Sequence, residues 1–141
     1  MKRVSFYLLV CLFLIPSILF AWGSGDKIIF TGDDSSITGT TTLSFGSDRE
    51  GIITPVDLIC TDFYAQVDQA PDQDAWTITV RDVPGSDTAL TCSMEFSMTQ
   101  CSSTGKSVYI AKGSNIDVQW TKTGGIISTT GSSMSMICEI V

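Results

Sequence analysis

Two cysteines, Cys92 and Cys101, are separated by eight residues in the stretch TCSMEFSMTQC, where apolar and polar residues alternate. Thiols at this spacing could ligate a metal, form a redox pair or form a structural disulfide. The chain contains no histidine and no C-x-x-C motif, which disfavours a zinc site and a thioredoxin-like redox site. We therefore predict a disulfide, with the two residues facing each other on a hairpin whose turn lies at Phe96-Ser97.

Of the five cysteines, Cys11 lies in the apolar N-terminal run that is expected to be cleaved. Cys60 and Cys138 then pair by elimination, although other pairings of the remaining four cysteines are compatible with the sequence. The alternation of side chains places Phe63 on the inner face of its strand and Cys60 on the outer face, whereas Cys138 is inward. A β-bulge between Cys60 and Phe63 would bring both cysteines to the same face. We expect this bulge beside a Cys60–Cys138 disulfide; without it, the pairing would be in doubt.

Three carboxylates, Asp68, Asp72 and Asp74, occur in the loop VDQAPDQD, and Asp33-Asp34 form a second acidic pair. Calcium binds several oxygen ligands from flexible loops, so calcium is the metal that this pattern favours. The alternative is that the aspartates form Asx-turns and bind no ion. No other cofactor is expected.

Catalysis is not expected from this sequence. No histidine can accept a proton from a serine, and disulfide formation removes the thiols as nucleophiles. Asp62, Asp117 and Glu139 would suit glycoside hydrolysis only if two of them shared a concave face. Each also fits the outward phase of a strand, where a carboxylate needs no special role. We predict that the protein is not an enzyme.

The first 21 residues have the layout of a secretory signal peptide, with basic residues, an apolar run and the small residue Ala21 at its end. The alternative is a retained membrane anchor. Cleavage removes Lys2 and Arg3, which leaves 6 of the 8 basic residues against 15 acidic ones, a net charge of −9. This charge disfavours nucleic acid as a partner, and no stable membrane insertion is expected after cleavage.

Alternation of apolar and polar residues recurs after residue 22, between turn signals about every ten residues. This rhythm is typical of a β-sandwich or barrel. Residues 22–51 are predicted to hold one or more N-terminal strands and a flexible arm, because residues 32–54 are rich in Gly, Ser, Thr and Asp and weakly patterned. We predict strands near residues 27–31, 40–45, 56–67, 75–82, 88–95, 97–102, 107–111, 115–122 and 132–140.

The order of several segments resembles a module that recurs in bacterial and phage surface proteins. These segments are a strand that ends in Ala70-Pro71, then AWTITVR, DTALTC, SVYIAKG and IDVQWT, over about residues 52–141. The resemblance implies a jelly-roll β-sandwich, related in shape to trimeric heads of the complement and tumour-necrosis-factor type. It implies structural cysteines at Cys92 and Cys101, and it carries no catalytic residues. A bulky Glu95-Phe96 replaces the usual glycine-containing turn.

The predicted fold is therefore an all-β, jelly-roll-type antiparallel sandwich with two disulfides, at residues 52–141. The predicted function is structural or recognition work without catalysis. The protein is expected to be secreted and to act at the bacterial cell surface, in an appendage or in the extracellular matrix, with the periplasm as an alternative location. Partners would be copies of itself, as a trimer or a fibre, or other surface proteins. The alternative is a carbohydrate-binding module, with glycans as partners and calcium as an aid. The candidate ligand or assembly residues are Tyr64, Tyr109, Phe96, Met98, Ile28 and Phe30.

Overall fold

The structure is a computed structural model that describes residues 23–34, 37–38, 41–44, 51–72, 74–83, 86–122 and 128–141. The predicted signal peptide, residues 1–21, lies outside the described residues. All regular elements in the described part are β-strands, which confirms the all-β prediction. No described segment forms a helix with the length and apolarity that a membrane span requires.

The strands coincide with the nine predicted ones to within about three residues, and three two-residue strands were not predicted. In chain order they are β1 (Lys27–Asp34), β2 (Ile37–Thr38), β3 (Thr41–Ser44), β4 (Ile52–Ile53), β5 (Leu58–Val67), β6 (Trp76–Val83), β7 (Ser86–Met94), β8 (Gln100–Ser103), β9 (Val108–Ile110), β10 (Asn115–Lys122), β11 (Ser128–Thr129) and β12 (Ser132–Ile140).

Two antiparallel sheets form the body of the molecule. The first sheet has the order β1-β12-β5-β8, with β9 pairing with β5 beyond the end of β8. The second sheet has the order β3-β10-β6-β7, with β4 pairing with β10 beyond the end of β3. The strands β2 and β11 form a small separate pair. The segment predicted to hold an N-terminal strand and a flexible arm, residues 22–51, therefore contributes β1 to the first sheet and β3 to the second.

Alternation along the strands sends one set of side chains between the sheets. On β12, Met134, Met136, Cys138 and Ile140 are buried, as the sequence predicts. Trp76 and Trp120 are among the largest fully buried side chains, and their inward direction is confirmed as well. A Trp side chain buries roughly 150–250 Å², so these two contribute much of the apolar area that holds the sheets together.

The predicted bulge is present beside Cys60. Ile137 of β12 lies opposite Asp62 of β5, but the next residue, Cys138, lies opposite Cys60. Thr61 is therefore the extra residue, and it changes the phase of β5 so that Cys60 and Phe63 both point inward. The Cys60–Cys138 disulfide is formed, with 3.9 Å between the Cα atoms, so this predicted pairing is confirmed.

The Cys92–Cys101 disulfide is also confirmed, but the prediction that the two cysteines face each other on a hairpin is wrong. Cys92 lies on β7, which pairs with β6, and Cys101 lies on β8, which pairs with β5. A turn does occur at Phe96-Ser97, where the Met98 N–H donates to the Glu95 carbonyl at 3.0 Å. The chain crosses from one sheet to the other at this turn. The bridge therefore joins the edges of the two sheets instead of two neighbouring strands.

Candidate functional site

Strand pairing arranges the outward side chains of the first sheet in four rows across the strands. Successive rows are two residues apart along a strand, about 7 Å, except on β5, where the bulge at Thr61 separates Asp62 and Ile59 by three residues. In order along the sheet, the rows are Asp33–Ser133–Gln66–Gln100, Thr31–Ser135–Tyr64–Ser102, Ile29–Ile137–Asp62 and Lys27–Glu139–Ile59–Tyr109. The first two rows are mainly hydroxyl and amide side chains, whereas the last two contain three isoleucines and a tyrosine.

The last two rows form an apolar stripe, which we define as Ile29, Ile137, Ile59 and Tyr109. Ile29 is 63% exposed and Tyr109 is 61% exposed, while the two isoleucines between them are half-buried. Ile137 and Ile59 lie on adjacent strands in adjacent rows, so the four side chains form one diagonal band. Apolar side chains that are neighbours on one exposed face, unlike scattered ones, indicate an interaction surface.

Charged groups border the apolar stripe. Lys27 lies opposite Glu139, which gives one cation and one anion at the same edge. The Tyr109 hydroxyl donates a hydrogen bond of 2.9 Å to Asp57, and the Lys112 N–H donates to the same carboxylate oxygen at 2.8 Å. An apolar centre with a polar border is the usual anatomy of a protein interface.

The Asp57–Tyr109 hydrogen bond shifts both titrations. The Lys112 N–H, followed by the Tyr109 hydroxyl, stabilises the carboxylate and lowers the pKa of Asp57. The same hydrogen bond retains the phenol proton and raises the pKa of Tyr109. The result is a tyrosine whose hydroxyl is held toward the border of the apolar stripe while its ring stays exposed.

The first two rows line a groove of about 890 Å³ on the same outer face. Tyr64, Gln66 and Gln100 line it together with Ser133, Ser135 and Asp33. At one end the groove reaches Met98 and the Cys92–Cys101 disulfide. Tyr64 is 42% exposed and belongs to the groove row that borders the apolar stripe.

The outer face of the second sheet differs in chemistry. Its described outward positions on β6, β7 and β10 are mainly threonines and charged residues, and the Thr79 and Thr91 hydroxyls are 3.0 Å apart. Arg81 makes two hydrogen bonds to Asp117, of 2.8 Å from Nε and 2.7 Å from Nη2. The Asp117 side chain is 9% exposed, and its hydrogen bonds raise the pKa of Arg81 above its ordinary range.

The three candidate calcium ligands do not come together. Asp72 lies 3.6 Å from Lys122 Nζ, Asp68 and Asp74 are exposed, and the Asp68 N–H donates to the Gly131 carbonyl at 3.0 Å. Across the described residues, no group of three or more carboxylates or thiols has a geometry that could hold a metal ion. Asp34 belongs to β1, but its side chain is outside the described set. Calcium dependence stays a prediction.

The other predicted surface residues lie in two places. Phe96 and Met98 are exposed in the turn between β7 and β8, as expected for a bulky tip. Phe30 is buried in the core and Ile28 packs against it, because β1 pairs with β12 of the same chain. These two side chains would be presented to another chain only if β1 left its own sheet.

Sequence reasoning did not identify Ile29, Ile59 or Ile137 as candidate surface residues. A signal was present for Ile29, because it alternates with Ile28 and Phe30 and therefore points outward. The groove had no comparable signal, since Gln66 and Gln100 become neighbours only through the pairing of β5 with β8.

No protein-family model matches the chain, and no curated protein sequence matches it. Among solved structures, an acidic stable capsid of Helicobacter pylori bacteriophage KHP30 is similar, with a TM-score of 0.46 and 7% identity over 81% of this chain and 94% of that chain. Bacillus endospore appendages, described as disulfide-linked pili, match with a TM-score of 0.37 and 14% identity over 84% of this chain and 94% of that chain. Neither likeness is high enough to indicate a shared function.

Proposed function

We propose that this protein is an extracytoplasmic, non-enzymatic structural module that assembles with copies of itself through the outer face of the first sheet. The observation that carries the proposal is the asymmetry of the two broad faces. The first sheet presents the apolar stripe, whereas the corresponding described face of the second sheet is covered with threonines and the Arg81–Asp117 ion pair. Contiguous apolar surface of this kind marks an interaction site.

The proposed fold is a jelly roll, and the strand order supports it. Apart from the small β2–β11 pair, most successive strands cross from one sheet to the other: β1 to β3, β4 to β5, β5 to β6, β7 to β8, β9 to β10 and β10 to β12. The connections between β6 and β7 and between β8 and β9 stay within one sheet. Two sheets of four strand positions, wound in this way, match the two Greek keys of a jelly roll.

The proposed location is outside the cytoplasm. Two disulfides form within the described chain, and disulfides persist mainly in oxidising compartments. The basic and apolar start of the sequence, residues 1–21, fits the export route that such a compartment requires.

The absence of catalysis is part of the proposal. The sequence contains no histidine, and the four cysteines of the sandwich are all in disulfides. Asp117 lies in the second sheet and is engaged with Arg81, whereas Asp62 and Glu139 lie in the first sheet. Asp117 is thereby separated from the other two candidates. Asp62 and Glu139 share the outer face of the first sheet, but neither lines the groove on that face, and a glycosidase pair needs a shared concave site.

A second copy of the chain is the partner that the stripe fits best. Its border contains both Lys27 and Glu139, so two copies can meet without placing only like charges together. Burying an exposed isoleucine or tyrosine contributes about 1.5–3 kcal/mol, enough for a few such residues to drive association. Residues 22–141 carry 6 basic and 15 acidic side chains, and this net negative charge opposes association, so salt should strengthen assembly by screening repulsion.

The test is the molar mass of the oxidised chain 22–141, measured by light scattering over a concentration series at low and moderate salt. We expect oligomers that increase with concentration and salt. Ile29→Thr should weaken association tenfold or more. Ile53→Thr is the matched control, because Ile53 is an equally exposed isoleucine, 69% against 63%, at the edge of the second sheet.

Two results would contradict the proposal: a monomer under all conditions, or equal effects of Ile29→Thr and Ile53→Thr. Donation of β1 to a neighbouring chain, the fibre alternative, gives a different pattern. Polymers would then survive Ile29→Thr, because the strand could still insert, and would disappear when residues 23–34 are removed.

A further inference from the structure

We infer that the groove on the first sheet binds a neutral oligosaccharide. The inference rests on the two polar rows and does not depend on self-assembly through the apolar stripe. The four strands β1, β12, β5 and β8 contribute exposed side chains to it, none of which is needed for the core.

Tyr64 is placed to serve as a stacking platform. Its cross-strand neighbours on both sides are serines, Ser135 on β12 and Ser102 on β8. Because these side chains are short, no bulky residue at the directly opposite positions covers the tyrosine ring. An amphipathic ring that is open on one face and has a hydroxyl at its tip suits the apolar face and polar rim of a sugar.

The next row supplies hydrogen-bonding groups of both kinds. Gln66 lies opposite Gln100, and Gln66 also lies opposite Ser133 on its other side. Each amide has two N–H donors and an acceptor oxygen, and each hydroxyl can donate and accept. Sugar hydroxyls also donate and accept, so this row can satisfy them without a charged residue.

Charge selects among glycans. The residues that line the groove include the carboxylate of Asp33 and, within the described chain, neither lysine nor arginine. The chain as a whole is acidic. Sulfated or uronic acid sugars would meet repulsion without a cation to pair with, so the groove favours neutral sugars.

The dimensions suit an oligosaccharide more than a single sugar. Each row crosses four strands, which corresponds to about 14 Å at the usual spacing between strands. The groove volume of about 890 Å³ is near the upper end of ordinary ligand sites. An extended chain of several sugar units would lie across the strands, above Tyr64.

The experiment is an array of neutral and anionic oligosaccharides, followed by calorimetry with the neutral hexamers cellohexaose, xylohexaose, maltohexaose and hexa-N-acetylchitohexaose. We expect at least one neutral hexamer to bind. Tyr64→Ala and Gln66→Ala should each weaken binding tenfold or more, and Tyr64→Phe should retain most of it. Tyr109→Ala is the matched control, since it removes the other exposed tyrosine of this face but lies two rows away.

The measurements should be repeated in the Ile29→Thr background, so that failure of self-assembly and failure of glycan binding can be told apart. Circular dichroism of each variant establishes that it is folded. Absence of binding to all neutral glycans, binding restricted to anionic glycans, or equal losses for Tyr64→Ala and Tyr109→Ala would each overturn the inference.

Discussion

Cys138 lies directly across from Cys60, whereas its neighbour Ile137 lies across from Asp62, so that Thr61 has no counterpart on β12. One extra residue on β5 thus determines whether a disulfide can form. Without it, the residues of β5 on one side of Thr61 would turn to the other face of the sheet.

Deleting Thr61 should therefore disrupt the Cys60–Cys138 disulfide. Cys60 would move to the outer face, or else Phe63 and the residues after it would leave the core. We expect two free thiols in the purified protein and a loss of about 4 kcal/mol in the free energy of unfolding. Thiol counting and guanidinium unfolding measure these effects.

Thr61→Ala is the control for that deletion, because it keeps the extra residue and removes only a local hydrogen bond of 2.8 Å from Thr61 to Asp62. This variant should keep both disulfides and most of its stability. A deletion variant with no free thiols would show that the bulge is not what brings the cysteines together.

The two disulfides should differ in their effect on stability. Cys60 and Cys138 are 78 residues apart, and Cys92 and Cys101 are 9 apart. In the chain-entropy treatment the longer loop contributes about 4.5 kcal/mol and the shorter about 2.7 kcal/mol. Guanidinium unfolding of the paired alanine variants should show the larger loss for Cys60→Ala with Cys138→Ala, and the reverse order would contradict this account.

Arg81→Ala should destabilise the second sheet, because it leaves the nearly buried Asp117 carboxylate without its two charge-assisted hydrogen bonds. Arg81 is itself partly exposed, so we expect a loss of about 1–3 kcal/mol in the free energy of unfolding. Adding Asp117→Asn should recover part of that loss. Urea unfolding of the two single variants and the double variant gives the coupling between them.

A coupling energy near zero in this cycle would mean that the ion pair contributes little. Lys106→Ala is a suitable control, because Lys106 is exposed between two strands of the first sheet, β8 and β9, whereas Arg81 and Asp117 lie on the second sheet. It should change the free energy of unfolding by less than about 0.5 kcal/mol.

The hydrogen bonds that Asp57 accepts, from the Lys112 N–H and then from the Tyr109 hydroxyl, predict a pH dependence at both ends of the scale. The pKa of Asp57 is lowered by folding, so its contribution to stability is complete above its unfolded pKa and is lost as pH falls through its folded pKa. The pKa of Tyr109 is raised, so its contribution is present below its unfolded pKa and is lost as pH rises through its folded pKa.

Phenol absorbance at alkaline pH tests this directly. In the chain 22–141 with Tyr64→Phe, Tyr109 is the remaining tyrosine. Adding Asp57→Asn should move its ionisation to lower pH, because the neutral amide is a weaker acceptor for the phenol proton. An unchanged titration curve would show that the hydrogen bond is not maintained in solution.

Much of the architecture could be predicted from local pattern. Alternation along β12 identified its buried side chains, and the conflict of phase between Cys60 and Phe63 required a bulge that is present. These inferences succeeded because the direction of a side chain in a strand follows from its position alone.

The error at Cys92 and Cys101 has a clear physical cause. Eight residues and a turn between two strands fit a hairpin, but they fit equally well a crossing from one sheet to the other. Both arrangements bring the two Cα atoms within disulfide range, and here they are 5.8 Å apart. The spacing of the cysteines therefore could not distinguish the two.

By itself, the sequence determined the strands, the inward and outward phases and the acidic charge, because each follows from composition or from neighbouring residues. The tertiary structure alone decided which outward residues share a surface. Tyr64 lies between Ser135 and Ser102, and Arg81 contacts Asp117. In each case the neighbours come from strands that are distant in sequence. Those contacts depend on the order and register of strands in the sheets, which are set by packing of the whole core and not by any local segment.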